Sequence, residues 1–180
     1  MSTDRILFDE VAKLKELSPR AKLLYADICM VTALFKDCCY KYGTVKGSIR
    51  LCCCRKTYHS ARQQLIDAGL VEKNGRQLIP LAPFDYTESR KNKLLGEGGR
   101  ITKSYYRQRA EFGSIPVSIF DGIPPAFILV RGAFLVYPNA PVSKIAKFLG
   151  MSRTTVTAYV SCLKKQEKII DGKVFDAAVH

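Results

Sequence analysis

The sequence predicts a mainly helical protein with small β-hairpins, arranged as two similar units in tandem. Apolar residues recur at helical spacing through several segments, and an Asn-Gly or Asp-Gly pair follows the last helical run of each half. An offset of 98 residues aligns the helices, bends and hairpins of the two halves in the same order. We therefore expect a first domain at residues 1–82, a basic linker at 83–113 and a second domain at 114–180.

The composition points to a partner of opposite charge. The chain has 180 residues and a formal net charge of +13, and the positive charge is spread over all three segments. Such a charge favours nucleic acid or an anionic membrane surface as the partner. No apolar run approaches the roughly 20 residues of a membrane-spanning helix, and residues 1–5 lack the pattern of a secretion signal. These features predict a cytoplasmic protein with no membrane partner.

The seven cysteines predict reduced thiols. Their number is odd, and three of them are contiguous at positions 52–54. Zinc binding is the rival interpretation, because Cys38, Cys39 and His59 would complete a ligand set, but the chain lacks paired C-x-x-C knuckles. We expect no metal and no other cofactor, with metal-dependent redox sensing through the cysteines as an alternative.

The first unit is predicted to contain two long helices and a hairpin. Ser18 suits the cap and Pro19 the first position of a helix. Its apolar residues form one predicted stripe, which consists of Ala21, Leu24, Tyr25, Ile28, Val31 and Phe35. The other helix runs from Arg55 to Ala68 and ends at Gly69, and the pair Asn74-Gly75 then predicts a hairpin turn.

The second unit repeats this order. Helices are predicted at residues 126–137, 142–149 and 153–166, and Gly150 forms the bend between the last two. The pair Asp171-Gly172 then predicts another hairpin. Within the linker, a short helix is predicted around residues 104–111.

Residues 142–160 resemble the DNA-binding helix-turn-helix. Ala146 is the small residue of the first helix, Gly150 allows the turn, Met151 plugs the turn and Ser152 caps the second helix. The apolar positions of the pattern hold Ile145, Leu149, Met151, Val156 and Tyr159. Together with the trailing hairpins, this resemblance implies two winged helix-turn-helix domains in tandem, whose wings reach over phosphates.

The first unit departs from this pattern at its turn. Ser48 stands at the alanine position, Cys52 at the glycine position and Cys54 at the capping position, so the first helix is placed only within residues 43–52. Residues 17–26 resemble the opening of the amino-terminal domain of Rep-A-type plasmid replication initiators. That resemblance implies a protein of a bacterial mobile element, which starts replication or regulates transcription.

The second helix of each helix-turn-helix presents one face to the major groove. The residues predicted to contact DNA are Arg55, Lys56, His59, Ser60, Gln63 and the wing residue Arg76 in the first unit, and Arg153, Thr154, Thr157, Ser161, Lys164, Lys165 and the wing residue Lys173 in the second. The opposite, buried faces are predicted to hold Tyr58, Ala61, Leu65 and Ile66 in the first unit, and Val156, Tyr159, Val160 and Leu163 in the second. For the lysines of the last helix, an ordinary solvated face is the alternative.

The sequence thus predicts a sequence-specific binder of double-stranded DNA, acting alone or as a homodimer. No enzyme is expected, because His59 and His180 are the only histidines and neither belongs to a nucleophile-like constellation in the sequence. The alternative is a winged-helix module that binds another protein and antagonises or recruits a nucleic-acid enzyme. That alternative predicts weak DNA binding that salt abolishes and that shows no sequence preference.

Overall fold

The computed structural model describes residues 5–34, 39–82, 95–96, 99–101, 113–115, 124–165, 169–170 and 173–174. In these ranges the helices are α1 (Asp9–Ala12), α2 (Pro19–Leu34), α3 (Thr44–Arg50), α4 (Arg55–Asp67), α5 (Pro125–Val136), α6 (Val142–Leu149) and α7 (Arg153–Lys165). The strands are β1 (Arg5–Leu7), β2 (Val71–Asn74), β3 (Gln77–Pro80), β4 (Leu95–Gly96), β5 (Arg100–Ile101), β6 (Gly113–Ile115), β7 (Ile169–Ile170) and β8 (Lys173–Val174). The predicted fold class, mainly helical with small antiparallel hairpins, is confirmed at this level.

Helix α2 is the central helix of the molecule. The predicted cap is confirmed, because the Ser18 hydroxyl accepts a hydrogen bond from the Ala21 amide at 3.2 Å. The predicted stripe residues from Ala21 to Val31 are buried, but burial is not confined to one stripe, since residues 21–29 are all buried. The reason is that α2 packs against β1, α4, β3 and α5 and is surrounded on all sides. The last residue assigned to the stripe, Phe35, lies outside the described residues.

The first unit follows α2 with α3, α4 and a hairpin. Tyr40 forms an isolated bridge with Leu78 of β3, which attaches the segment before α3 to the hairpin. Strands β2 and β3 pair antiparallel from Val71↔Pro80 to Asn74↔Gln77, and Gly75 in their turn has φ 57°. The predicted hairpin is confirmed, and α3 lies within the segment predicted for it.

The second unit has the predicted order of three helices and a hairpin. Helix α5 begins at Pro125, one residue before the predicted start, and α6 has the predicted bounds. Strands β7 and β8 pair antiparallel through Ile169↔Val174 and Ile170↔Lys173. The order helix, helix, helix, hairpin therefore occurs in both halves of the chain.

The turns that precede α4 and α7 have the same hydrogen bonds. In the first unit the Cys53 amide donates to the Ser48 carbonyl at 3.0 Å. In the second unit the Met151 amide donates to the Ala146 carbonyl, also at 3.0 Å. Each donor and each acceptor lies 98 residues from its counterpart, so the repeat predicted from sequence extends to the backbone.

The residue at the centre of each turn has a left-handed backbone. Gly150 has φ 63°, as its position in the pattern predicts. Its counterpart Cys52 has φ 46° and is the one non-glycine residue with positive φ in the described ranges. The first unit therefore keeps the turn geometry although a cysteine replaces the glycine, at a cost of about 1–2 kcal/mol in backbone strain.

In the first unit, helices α3 and α4 approach each other closely where a large side chain meets a glycine. In the first unit Tyr58 of α4 is fully buried and faces Gly47, where an added Cβ would lie 2.5 Å from the tyrosine ring. At the corresponding positions the second unit has Val156 and Ile145, both fully buried. The second unit thus has two aliphatic side chains of similar size where the first unit has a tyrosine and a glycine.

The two units are packed together over one hydrophobic core. Helix α2 contacts α5, α1 contacts α6, and β1 pairs antiparallel with β6. Of the predicted linker, β4 and β5 form a small hairpin against the first unit, where Ile101 is buried and Arg100 bridges Leu81. The domain boundaries stay predictions, and the helix predicted around residues 104–111 lies outside the described residues. Over the described ranges, no helix has the length and apolar character needed to cross a membrane.

Candidate nucleic-acid interface

Helix α4 exposes the polar residues predicted for DNA contact. The side chains of Arg55, Lys56, His59, Ser60 and Gln63 are all exposed. Gln63 Nε2 donates to the Asp67 carboxylate at 2.7 Å along the helix surface. The amino-terminal half of α4 therefore presents two cations and several hydrogen-bonding groups to solvent.

The opposite face of α4 packs on the core, with one correction. Tyr58, Ala61 and Leu65 are buried as predicted. Ile66 is half-buried, so its assignment to the buried face is wrong. The buried face is centred on the other three residues, and Ile66 lies about 100° around the helix from Leu65, at the margin of that face.

Helix α7 has the same division into an exposed and a buried face. Its predicted contact residues Arg153, Thr154, Thr157, Ser161 and Lys164 are exposed. Val156, Val160 and Leu163 are buried on the opposite side. The side chains of Lys165 and of Lys173 in β8 lie outside the described residues.

The start of α7 is capped, and its face extends to a half-buried tyrosine. The Ser152 hydroxyl accepts a hydrogen bond from the Thr155 amide at 3.1 Å, which confirms the predicted cap. Tyr159 is half-buried, not buried as predicted. Its ring meets Phe127 edge to face at 5.7 Å, and its other side borders an open cleft.

Helices α4 and α7 border the same cleft, which has a volume of about 510 Å³. Its lining from α4 is Lys56, Thr57, Ser60, Ala61 and Gln64, and from α7 it is Tyr159. The remaining walls are the first residues of α2 and α5. Two of the predicted DNA-contact residues, Lys56 and Ser60, are therefore brought close to α7, whereas Arg76 lies exposed at the β2–β3 turn.

A buried ion pair positions α3, on which α4 packs. The Asp27 carboxylate is fully buried and accepts hydrogen bonds from Arg50 Nη2 at 2.7 Å, Arg50 Nε at 3.0 Å and the Tyr40 hydroxyl at 2.8 Å. The hydrogen bond to Asp27 raises the pKa of Arg50, and burial raises the pKa of Tyr40. The arginine is therefore charged and the phenol neutral, as a bidentate pair with a third donor requires.

The group formed by Asp27, Arg50 and Tyr40 was not predicted from the sequence. The one available signal was an aspartate among the apolar residues of a predicted helix, since a buried carboxylate needs a charged partner. Nothing in the sequence identified that partner as Arg50, because 23 positions separate the two residues.

Three of the cysteines, at positions 52–54, lie at the first turn. Cys53, the counterpart of Met151, is half-buried against the core, and burial raises the pKa of its thiol. Cys54 is exposed at the start of α4, and its hydrogen bond with Thr57 lowers its pKa. Within the ranges that the structure describes, no three His, Cys, Asp or Glu side chains are grouped to hold a metal ion; Cys38 lies outside them.

Comparison of the chain with known protein families, curated proteins and solved structures finds no match. The molecule's own candidate functional features are two equivalent turns, the exposed polar faces of the helices that follow them, and the cleft between those helices.

Proposed function

We propose that the chain is a sequence-specific double-stranded DNA-binding protein made of two winged helix-turn-helix units. The observation that carries this proposal is the repeated turn, which in each unit leads into a helix with an exposed arginine at its first position. A hairpin follows each of these helices, as a wing does in this class of fold. The net charge of +13 supports an anionic partner.

Recognition would proceed through the exposed faces of α4 and α7 in the major groove. Arg55 and Arg153 suit guanine, and Gln63 suits adenine, each bidentate pair contributing about 1–3 kcal/mol of discrimination. Arg76, exposed at the first hairpin turn, would contact a phosphate. Affinity that comes from such cationic contacts weakens as salt rises, because binding releases counterions from the DNA.

The cellular role that we propose is on a bacterial mobile element, as a cytoplasmic replication initiator or transcriptional regulator. Its support is the resemblance of residues 17–26 to the opening of Rep-A-type initiators. The protein would act without enzymatic activity or cofactor, as a monomer or a homodimer.

A second candidate is a module that binds another protein and thereby antagonises or recruits a nucleic-acid enzyme. One observation favours it: helix α3 exposes Val45 and Ile49, whose relative exposures are 49% and 69%. Two exposed aliphatic side chains one helical turn apart are more typical of a protein contact than of a DNA contact.

The test is a selection of bound duplexes from a random pool at about 150 mM salt, a physiological ionic strength. The proposal predicts an enriched motif, and Arg55→Ala and Arg153→Ala should each remove the preference at different positions of it. A folded protein that enriches no motif would contradict the proposal and favour the protein-binding candidate.

A further inference from the structure

Two basic residues of α2 contact the two turns at equivalent places. The Arg20 guanidinium donates to the carbonyl of Leu51, which ends α3. Lys22 Nζ donates to the carbonyl of Leu149, the last residue of α6, at 2.5 Å. Leu51 and Leu149 are counterparts in the repeat, 98 residues apart, and both are fully buried. A single helix thus holds the turn that leads into α4 and the turn that leads into α7.

Burial and two hydrogen bonds hold the side chain of Lys22 in one position. Its side chain is only 2% exposed, and Nζ also donates to the Ala12 carbonyl at the end of α1 at 2.7 Å. Carbonyls at helix ends lack partners within the helix and carry partial negative charge, so they satisfy a buried ammonium group. The lysine therefore joins α1, α2 and α6 in one buried hydrogen-bonded group.

The turn before α7 is held at a second point. At Gly150 an added Cβ would lie 2.4 Å from the Lys13 carbonyl, so the turn lies directly against the end of α1. On the other side, Gln64 of α4 accepts a hydrogen bond from the Ser18 amide at 2.9 Å, which joins α4 to the start of α2. Helix α4 is thereby attached to the start of α2, and the turn before α7 is attached to the end of α1 and, through Lys22, to α2.

The short distance between α4 and α7 limits which segments of DNA the two helices could contact together. On one face of B-form DNA, successive major-groove segments lie about 34 Å apart. Helices α4 and α7 border a single cleft of about 510 Å³ and so lie much closer to each other than that. If both read DNA, they read one contiguous stretch of it.

We propose that Arg20 and Lys22 are positioning residues that set the spacing of the DNA site. They hold α4 and α7 in one fixed relation, so that the two parts of the site tolerate no inserted base pairs. This inference depends on the proposed DNA-binding function. It concerns how the site is arranged, not whether the protein binds DNA.

The experiment uses the full chain and the duplex motif that the selection enriches. Two base pairs are inserted between the parts assigned to Arg55 and Arg153, which rotates them by roughly 70° relative to each other. We expect the wild-type protein to bind this spaced duplex at least about tenfold more weakly than the original. Equal affinity for both duplexes would overturn the inference, whereas failure of the selection itself would reject the proposed function.

Variants then test the two positioning residues. Lys22→Met keeps the length of the side chain without the donors, and we expect its tenfold penalty for the spaced duplex to shrink to less than about threefold. Lys15→Met, at an exposed lysine, is the matched control and should keep the wild-type penalty. If Lys22→Met does not fold, the penalty for the spaced duplex is measured with Arg20→Met, at the half-buried start of α2. A folded Lys22→Met or Arg20→Met protein with the wild-type penalty would refute the positioning role of that residue.

Discussion

At the residue scale, the turn before α4 stores strain that its counterpart avoids. Cys52 has φ 46° where Gly150 has φ 63°, and only glycine adopts this region without steric cost. The turn persists because its flanking hydrogen bonds and the half-buried Cys53 fix it on both sides. The surrounding structure thus holds Cys52 in a backbone conformation that is unfavourable for a residue with a side chain.

Replacing this cysteine with glycine should stabilise the protein. We expect Cys52→Gly to raise the free energy of unfolding by about 1 kcal/mol, since relief of the left-handed strain exceeds the entropy cost of glycine. Urea unfolding measures the change. Cys52→Ala is the control, because it removes the thiol and keeps the strain; an equal gain in that variant would show that the thiol, not the backbone, is responsible.

Lys22 should make stability depend on pH. Burial lowers its pKa from 10.5 to about 8, so between these values the folded state binds fewer protons than the unfolded state. The free energy of unfolding therefore rises with pH across that window, by at most about 1.4 kcal/mol per unit from this group. Denaturant unfolding from about pH 7 to about pH 10 should show the rise in wild type and less of it in Lys22→Met. Parallel profiles would count against a lysine whose pKa is lowered by burial.

Arg153 should contribute more to the affinity for the selected duplex than to the affinity for random duplex. Its exposed position at the start of α7 predicts that Arg153→Ala loses about tenfold or more in affinity for the selected duplex and much less for random duplex. Fluorescence anisotropy with both duplexes measures this difference. Arg76→Ala, at the hairpin turn, should weaken both about equally. Equal losses for Arg153→Ala would identify it as a phosphate contact.

At the element scale, the helix pair α3–α4 of the first unit depends on one close approach. The pair Gly47 and Tyr58 in the first unit corresponds to Ile145 and Val156 in the second. Because Tyr58 is fully buried, its ring has no free space into which it could move from an added side chain. The orientation of α4 therefore depends on the absence of a side chain at position 47.

Filling that position should destabilise the fold. We expect Gly47→Ala to lower the free energy of unfolding by about 1–3 kcal/mol, as overpacking does in a filled core. Gly43→Ala is the control, since an added Cβ there meets nothing within 4 Å. Adding Tyr58→Val, the residue of the second unit, should recover part of the loss. A double variant whose loss is the sum of the two single losses would contradict the proposed contact.

Elements whose signals are local could be predicted from the sequence. The caps at Ser18 and Ser152, the turn at Gly150 and the hairpin at Asn74-Gly75 each depend on a few adjacent residues. The burial of α2 on all sides could not be predicted, because it is caused by elements distant in sequence. The exposed face of α4 follows from local helical spacing and was predicted. The pair of Asp27 with Arg50 joins residues 23 positions apart and was not predicted.

At the scale of the whole molecule, the two units are packed directly against each other. A shared core, the β1–β6 pairing and the contacts of Lys22 join them. The two candidate DNA-reading helices consequently border one cleft, and the exposed Lys56 of α4 lines it. Under the proposed function, units joined in this way would add specificity through geometry to that of individual base contacts.

The central claim is sequence-specific recognition of duplex DNA. Its most direct test is the ratio of the dissociation constants for a scrambled duplex and for the selected duplex, measured with the wild-type protein at about 150 mM salt. Specific DNA-binding proteins typically prefer their site by about 10³-fold or more, and we predict a ratio in that range. A ratio near one, with a folded protein, would contradict the account.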